Sequence, residues 1–385
     1  MLKEQKSTQI IFSIWQTKHG VIIYPLTTLV FILPFLLLYT VVAIYAERKI
    51  SAFIQDRLGP MEVGYYGVAQ TIADLLKLLQ KEDITPAKSQ SQLFKLAPLI
   101  IFTSVFAGFA VLPLSASWSG ASFSSAVFFL LAVISLDVIG IVAAGWSSNN
   151  KYSMIGTMRS AAQIISYEVP LGLSVLCVCM ICQSLDLQEI SFQQSIYYHQ
   201  PQYLFGIQSW NVEVGSLGGF LTWNIFRMPL LAGAWVIFFI ASLAECNRAP
   251  FDLPEAESEL VAGFQTEYSG FRWAVIMLAE YGMMLLVSIL GAVLFFGSWN
   301  TPLPNMGSLE LATWTTGAPG TTASTLWGIF WLMSKSWVLV SLQMWVRWTY
   351  PRLRVDQLMN LSWKYLTPLA LGLVILCGVW KVIFI

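Results

Sequence analysis

Histidine is almost absent, with only two in 385 residues, His19 and His199. Membrane haem proteins take axial ligands from side chains inside their helices, and both histidines lie outside every long apolar run, so a bis-histidine haem is excluded. Charge is scarce too, at 11% of residues against roughly 25% in ordinary soluble domains. Lys plus Arg equals Asp plus Glu at 21 each, so net charge names no polyanionic partner and nucleic-acid binding has no support. Neither a GxGxxG nor a GxxxxGKS/T loop occurs, so the chain carries no recognisable cradle for NADH or ATP. Of the five cysteines, Cys177, Cys179, Cys182 and Cys377 sit inside apolar runs, which argues against a secreted disulfide framework. Cys177-x-Cys179-x-x-Cys182 looks superficially like an iron–sulfur motif. On a helix, however, its first two thiols point about 200° apart, and the fourth thiolate is missing, so these read as ordinary buried cysteines.

What the chain has instead is apolar length. Hydrophobic residues make up 56% of it, more than a soluble core of this size could hide. A bilayer core needs about 20 apolar residues per helix, and such runs occur at Val21–Tyr45, Leu96–Leu114, Phe123–Trp146, Ala161–Cys182, Phe226–Ala244, Trp273–Trp299, Leu326–Trp345 and Tyr365–Ile385. The fold class is therefore an all-α integral membrane protein, one membrane domain of about eight transmembrane helices. The first run is too long for a cleaved signal peptide and lacks a small-residue cleavage site, so it reads as a retained helix. Pro25, Pro34 and Pro170 predict kinks within the spans.

Basic residues set the orientation, because Lys and Arg in short loops stay on the cytoplasmic side. Arg48, Lys49, Arg57, Lys77, Lys81 and Lys88 follow the first span; Lys151 and Arg159 follow the third; Arg248 and Arg272 the fifth; Arg347, Arg352, Arg354 and Lys364 the seventh. The intervening loops hold none if Arg227 belongs to the fifth span. Both termini are then outward, although Lys3, Lys6 and Lys18 on the N-terminal tail pull the other way. Many of the 16 tryptophans fall at span ends, as interfacial anchors should. After the first span, Val68, Ile72, Leu75, Leu76 and Leu79 recur at helical spacing with Gln70, Asp74, Lys77 and Lys81 between them. That pattern predicts an amphipathic helix over about residues 67–80, lying in the membrane surface. The long polar outer loops, Gln183–Ile225 and Asn300–Ser324, show no catalytic pattern and read as cover.

Ionisable residues inside a membrane are costly enough to signal function, and five occur: Asp137, Glu168, Glu245, Glu280 and Lys335. The plainer alternatives are an interhelical ion pair, for instance Lys335 with a glutamate, or a residue near a span end reaching water. Between spans five and six, Glu245, Asp252, Glu255, Glu257 and Glu259 face a single arginine, Arg248. Asp252-x-x-Glu255 has capping-box spacing, but a cap does not account for Glu245 at the membrane edge. Like charges crowded near low dielectric must hold some protons at neutral pH.

Four segments on the basic side carry a resemblance. They are Glu47-Arg48-Lys49 with Gln55-Asp56-Arg57-Leu58-Gly59-Pro60 and Gln70 to Asp74; Gly145-Trp146-Ser147-Ser148-Asn149-Asn150-Lys151-Tyr152 with Arg159 and Ser166-Tyr167-Glu168; the acidic segment continuing to Glu267-Tyr268; and Pro351-Arg352-Leu353-Arg354-Val355-Asp356-Gln357-Leu358. In this order, from about Tyr45 to Leu369, the chain resembles the family of the H-type subunit of NADH-quinone oxidoreductase, respiratory complex I. The resemblance implies a proton-translocating enzyme complex in which such a chain forms the membrane part of the quinone chamber and holds no redox centre. FMN and iron–sulfur clusters are expected in partner subunits, quinone at the subunit interface, and soluble quinone-module and antiporter-like membrane subunits as partners, in a bacterial inner membrane. It implies Arg48, Gln55, Arg57, Asp74 and Met277 at the chamber. Glu168, Glu245, Asp252, Glu255, Glu257, Glu259 and Glu280 would couple protons, with Arg159 and Arg248 orienting them. Asp137 departs from the family, which usually has a small or apolar residue there, and a local partner or water is the simpler reading. Competing readings are the membrane anchor of a related proton-pumping hydrogenase or formate-linked complex, and a free-standing secondary transporter, for which no internal repeat is visible.

Overall fold

A computed structural model describes residues 20–121, 124–198, 200–207, 213–215, 217–253, 260–305 and 309–384, with side chains from residue 26 onward. Among the described residues nine helices organise it: α1 (Gly20–Ile54), α2 (Gln70–Gln80), α3 (Ser91–Gly108), α4 (Ala126–Ser147), α5 (Lys151–Cys182), α6 (Pro229–Glu245), α7 (Gly270–Phe295), α8 (Thr322–Thr349) and α9 (Val355–Phe384). Seven of these are long and apolar enough to cross a membrane. The expected fifth span, α6, has only 17 residues and follows a separate short turn, Asn224–Arg227, so Met228 and Pro229 divide what the apolar run joined. At 1.5 Å per residue it covers about 26 Å.

Several helices outrun their apolar cores, because polar residues that face inward can continue a helix. In α5, Asn150 caps the start by accepting from the Tyr152 amide at 2.9 Å, and buried Ser153, Thr157 and Ser160 precede the apolar stretch. In α9 the helix widens into a π-turn over Leu361–Leu366, just before Pro368. Proline has no amide to donate and crowds the carbonyl four residues back, which a wider turn relieves.

Helix α7 is the central pillar: 89% of its apolar window is buried, against 17% for α9 at the edge. Around it pack α1, α2, α3, α6 and α8, while α4 lies along α3, and α5 along α4, α6 and α9. Small residues permit the closest approaches. A Cβ added to Gly140 of α4 would sit 2.6 Å from the Ile101 side chain of α3, and one on Gly145 would run into Thr157 of α5.

The basic connections all meet on one face. There Gln90 N donates to Ser147 O (3.0 Å), Asn150 Nδ2 to Glu267 (2.7 Å) and Leu353 N to Pro250 O (3.2 Å), and Arg272 pairs with Asp83 at 2.6 Å. At the opposite face Lys381 near the end of α9 donates to Ile181 O near the end of α5 (2.9 Å). The long polar loops do more than cover. Gln194 donates to Ile190 O and Val293 O and accepts from the amides of Asn224 and Gly297. Lys335 of α8 has backbone partners rather than a glutamate: its ammonium donates to Ser298 O (2.8 Å) and Asn300 O (2.5 Å), and lies 4.3 Å from the centre of the Trp223 ring.

Candidate functional site

The site begins where α1 leaves the membrane. Leu36, Tyr39, Thr40, Ala43, Glu47 and Ser51 recur at helical spacing and are all buried, so they form the inward face of α1. Glu47 is thereby turned inward and its neighbour Arg48 outward. Arg48 pairs with Asp74 of α2 at 2.6 Å, and Gln70 adds a hydrogen bond to the same carboxylate at 3.3 Å. Both members of the ion pair are partly open to solvent. The connection between α1 and α2 is tied back onto α1 by Lys49 donating to Pro60 O (2.8 Å) and Tyr45 to Tyr66 O (3.0 Å). Gly67 closes it with φ +76°, where any side chain would strike the Pro60 carbonyl. Helix α2 forms over Gln70–Gln80, three residues shorter at its start than the expected 67–80, with its apolar residues Ile72, Leu75, Leu76 and Leu79 exposed along one side. Met277 lies half-buried on α7, which packs against both α1 and α2. Gln55 and Arg57 are joined to each other, Nε to Oε1 at 2.6 Å, and are exposed in the connection rather than joined to the Arg48–Asp74 pair.

Glu47 opens a buried row of alternating charge. Arg347 of α8 donates to its Oε1, and Tyr281 of α7 donates to Oε2 at 2.6 Å. Arg248, in the connection after α6, reaches toward Glu47 at 4.0 Å and Glu280 at 3.8 Å and lies 4.5 Å from the Tyr281 ring. Glu280 accepts from Gln265 (2.6 Å), which in turn accepts from Trp273 (3.0 Å). Arg248 thus lies between two carboxylates, Glu280 and Glu47, and the sequence assigned no role to Glu47. The sequence likewise assigned no site role to Arg347 or Arg352. Arg352 pairs with Asp252 at 2.9 Å.

A second group of carboxylates lies along α5, which packs against α4 on one side and α6 on another. Glu245, the last residue of α6, is buried with no hydrogen-bond partner on either oxygen. The charged groups it senses are Glu168 and Asp137. Glu168 of α5 is half-buried and hydrogen-bonded to Ser135 of α4. Asp137 is buried with its Oδ1 unpartnered. Cys246 stands between the two groups, its thiol pushed up by burial and by Glu245, Glu280 and Asp137, with Arg248 opposing. Arg159 lines an apolar cleft of about 430 Å³ with Met158, Leu253, Val355 and Met359. Glu255, Glu257 and Glu259, and with them the capping box that begins at Asp252, lie outside the described residues. No group of three or more potential metal ligands occurs among the described residues.

A family pattern described as NADH dehydrogenase matches residues 26–378. The chain is 62% identical to an H-type subunit of NADH-quinone oxidoreductase, the one numbered 2, of Cytophaga hutchinsonii over 356 residues, 91% of this chain and 98% of that protein. It is 47% identical to the H-type subunit of NADH-quinone oxidoreductase of Chlorobaculum tepidum over 371 residues, 96% of this chain and 95% of that one.

Proposed function

Because this chain belongs to the NADH dehydrogenase family, as a multi-pass membrane subunit of the NADH-quinone oxidoreductase kind, we propose that it walls the quinone chamber and couples quinone reduction to proton translocation. FMN and iron–sulfur clusters belong to partner subunits in this reading, and the chain's own contribution is position and charge. The observation that carries it is the adjacency of Glu47 and Arg48. One residue faces the open pair with Asp74, and the next faces the buried row of Arg248, Glu280 and Arg347. A charge change at the chamber mouth therefore acts one residue away from groups that water cannot screen, where electrostatic effects are largest.

The chemistry asked of these residues is proton holding and release. Arg48 and Asp74 shape the mouth between α1, α2 and α7 for a long apolar quinone tail, since the exposed side of α2 is apolar. The Glu47–Arg248–Glu280 row senses the reduction. Glu245 and Glu168 take up and pass on protons, and the expected cluster at Asp252, Glu255, Glu257 and Glu259 feeds them from the basic face. No electron passes through the chain.

In the assembled complex, Asp74→Asn is expected to leave electron flow from donor to an artificial acceptor unchanged while impairing long-tailed and short-tailed quinones unequally. Steady-state kinetics with both quinones measure this, and wild-type values for both would remove Asp74 from the chamber. The topology has its own test in intact cells. Ala318→Cys, exposed on an outer loop, is expected to react with a membrane-impermeant thiol reagent, and Lys151→Cys, exposed on the basic face, is expected not to. All five native cysteines are buried, which keeps the background low. The opposite labelling pattern would invert the orientation.

A further inference from the structure

We propose that Asp137, on α4, is an additional proton-carrying residue that exchanges protons with Glu245 and Glu168 where α5 packs against α4 and α6. This rests on the coupling reading above and extends it to a residue outside the set that reading uses.

Helix α4 buries the stripe Leu130, Ile134, Asp137, Ile141 and Ala144, so Asp137 occupies a position that packing alone would give to an aliphatic residue. It is 7% exposed, and Oδ1 meets no donor. A buried carboxylate left this way costs several kcal/mol unless it is neutral or paired, and a leucine or alanine would carry no such cost. Glu245 changes its meaning, because it is 3% exposed and both of its oxygens also lack partners. Glu168 and Asp137 thus both lie within electrostatic reach of Glu245. Such a set shares protons as a unit.

Hydrogen bonding at Glu168 supports a mobile proton. The Ser135 hydroxyl lies within bonding distance of both Leu131 O, at 2.9 Å, and Glu168 Oε1. One hydroxyl proton cannot serve both acceptors. When it goes to Leu131 O, the hydrogen on the Glu168 side must belong to Glu168; when it goes to Glu168, the carboxylate is free to be ionised. The hydroxyl can rotate between its two acceptors, so Glu168 keeps Ser135 as a hydrogen-bond partner in either protonation state. In the transfer itself an O–H bond breaks at Glu168 or Asp137 as one forms at Glu245, and no electron moves.

The test uses the whole complex in native membranes. Asp137→Asn keeps size and polarity but cannot carry a proton. It is expected to assemble normally and oxidise donor normally with an artificial acceptor, while quinone-linked pumping falls about tenfold, the scale of one pK unit of lost coupling. Asp137→Glu is expected to recover most of that loss, which a packing role would not predict. Redox-induced infrared difference spectra give an independent reading: a protonated-carboxyl C=O band present in the wild type should shift in Asp137→Glu, even if Asp137→Asn fails to assemble. An assembled Asp137→Asn complex that pumps like the wild type, or spectra unchanged by Asp137→Glu, would overturn the proposal. If Glu168→Gln/Glu245→Gln abolishes pumping while Asp137→Asn does not, only the role of Asp137 falls. Full pumping in both would remove the coupling reading with it.

Discussion

A Glu168→Gln/Glu245→Gln double variant is expected to assemble, to oxidise its donor normally with an artificial acceptor, and to lose quinone-linked proton translocation by about a hundredfold or more, the scale of a removed proton-transfer group. The reason for selective loss is local. Glutamine matches glutamate in size, and at Glu245 no hydrogen bond is surrendered, because neither oxygen has a partner. At Glu168 the glutamine carbonyl still accepts from Ser135. The remaining structural penalty is an amide buried without a partner, about 1–3 kcal/mol. The single variants should be milder and their effects should not add, because coupled carboxylates redistribute their protons when one is removed. Assembled amount, artificial-acceptor activity and pumping measured side by side separate chemistry from folding. Full pumping in the assembled double variant would sink the coupling role.

Glu47→Ala should act differently, through stability first. Glu47 is 6% exposed and anchors Arg347 and the Tyr281 hydroxyl, with Arg248 close by. Alanine leaves two guanidinium groups on that side of the row with one buried carboxylate fewer between them. Breaking a buried ion pair from one side costs about 3–5 kcal/mol, enough to lower the amount of assembled complex severely. Glu47→Gln keeps an acceptor for only one of Arg347 and Tyr281, its amide nitrogen facing the other donor, and should be intermediate. The informative combination is Glu47→Leu/Arg347→Met. Replacing both partners by apolar residues is often close to neutral, so this pair should recover assembly without recovering quinone-linked activity. Unfolding midpoints of the purified complex measure the first effect. A Glu47→Ala complex as stable as the wild type would mean that the row does not hold the helices.

The spans were legible because apolar length is a local property. Their ends were not, since Ser153, Thr157 and Ser160 of α5 and Glu47 of α1 are polar yet face inward, and composition alone reads polar residues as loop. Glu47 had a signal: it continues the Leu36, Tyr39, Thr40 and Ala43 stripe at helical spacing. That stripe becomes visible only when periodicity is followed past the point where the apolar run ends. Asp74 on the polar side of a surface helix, and Glu245 at a membrane edge, could be singled out from pattern. The Arg48–Asp74 pairing could not, because it depends on how the intervening connection folds back, which Lys49, Tyr45 and Gly67 decide together. Lys335 could be recognised as a buried cation, but its partners are backbone carbonyls of a loop more than thirty residues away, and no spacing rule finds such a contact.

The buried end of the short helix α6 separates Glu245 from the lipid. Helices that face acyl chains tilt or shift as bilayer thickness varies, to reduce hydrophobic mismatch. The last five residues of α6, Ala241 to Glu245, are wholly buried, so this end takes its depth from its protein neighbours. α9, mostly uncovered, is the element placed to absorb such adjustment. The depth of Glu245 is therefore set by the fold rather than by the composition of the surrounding membrane.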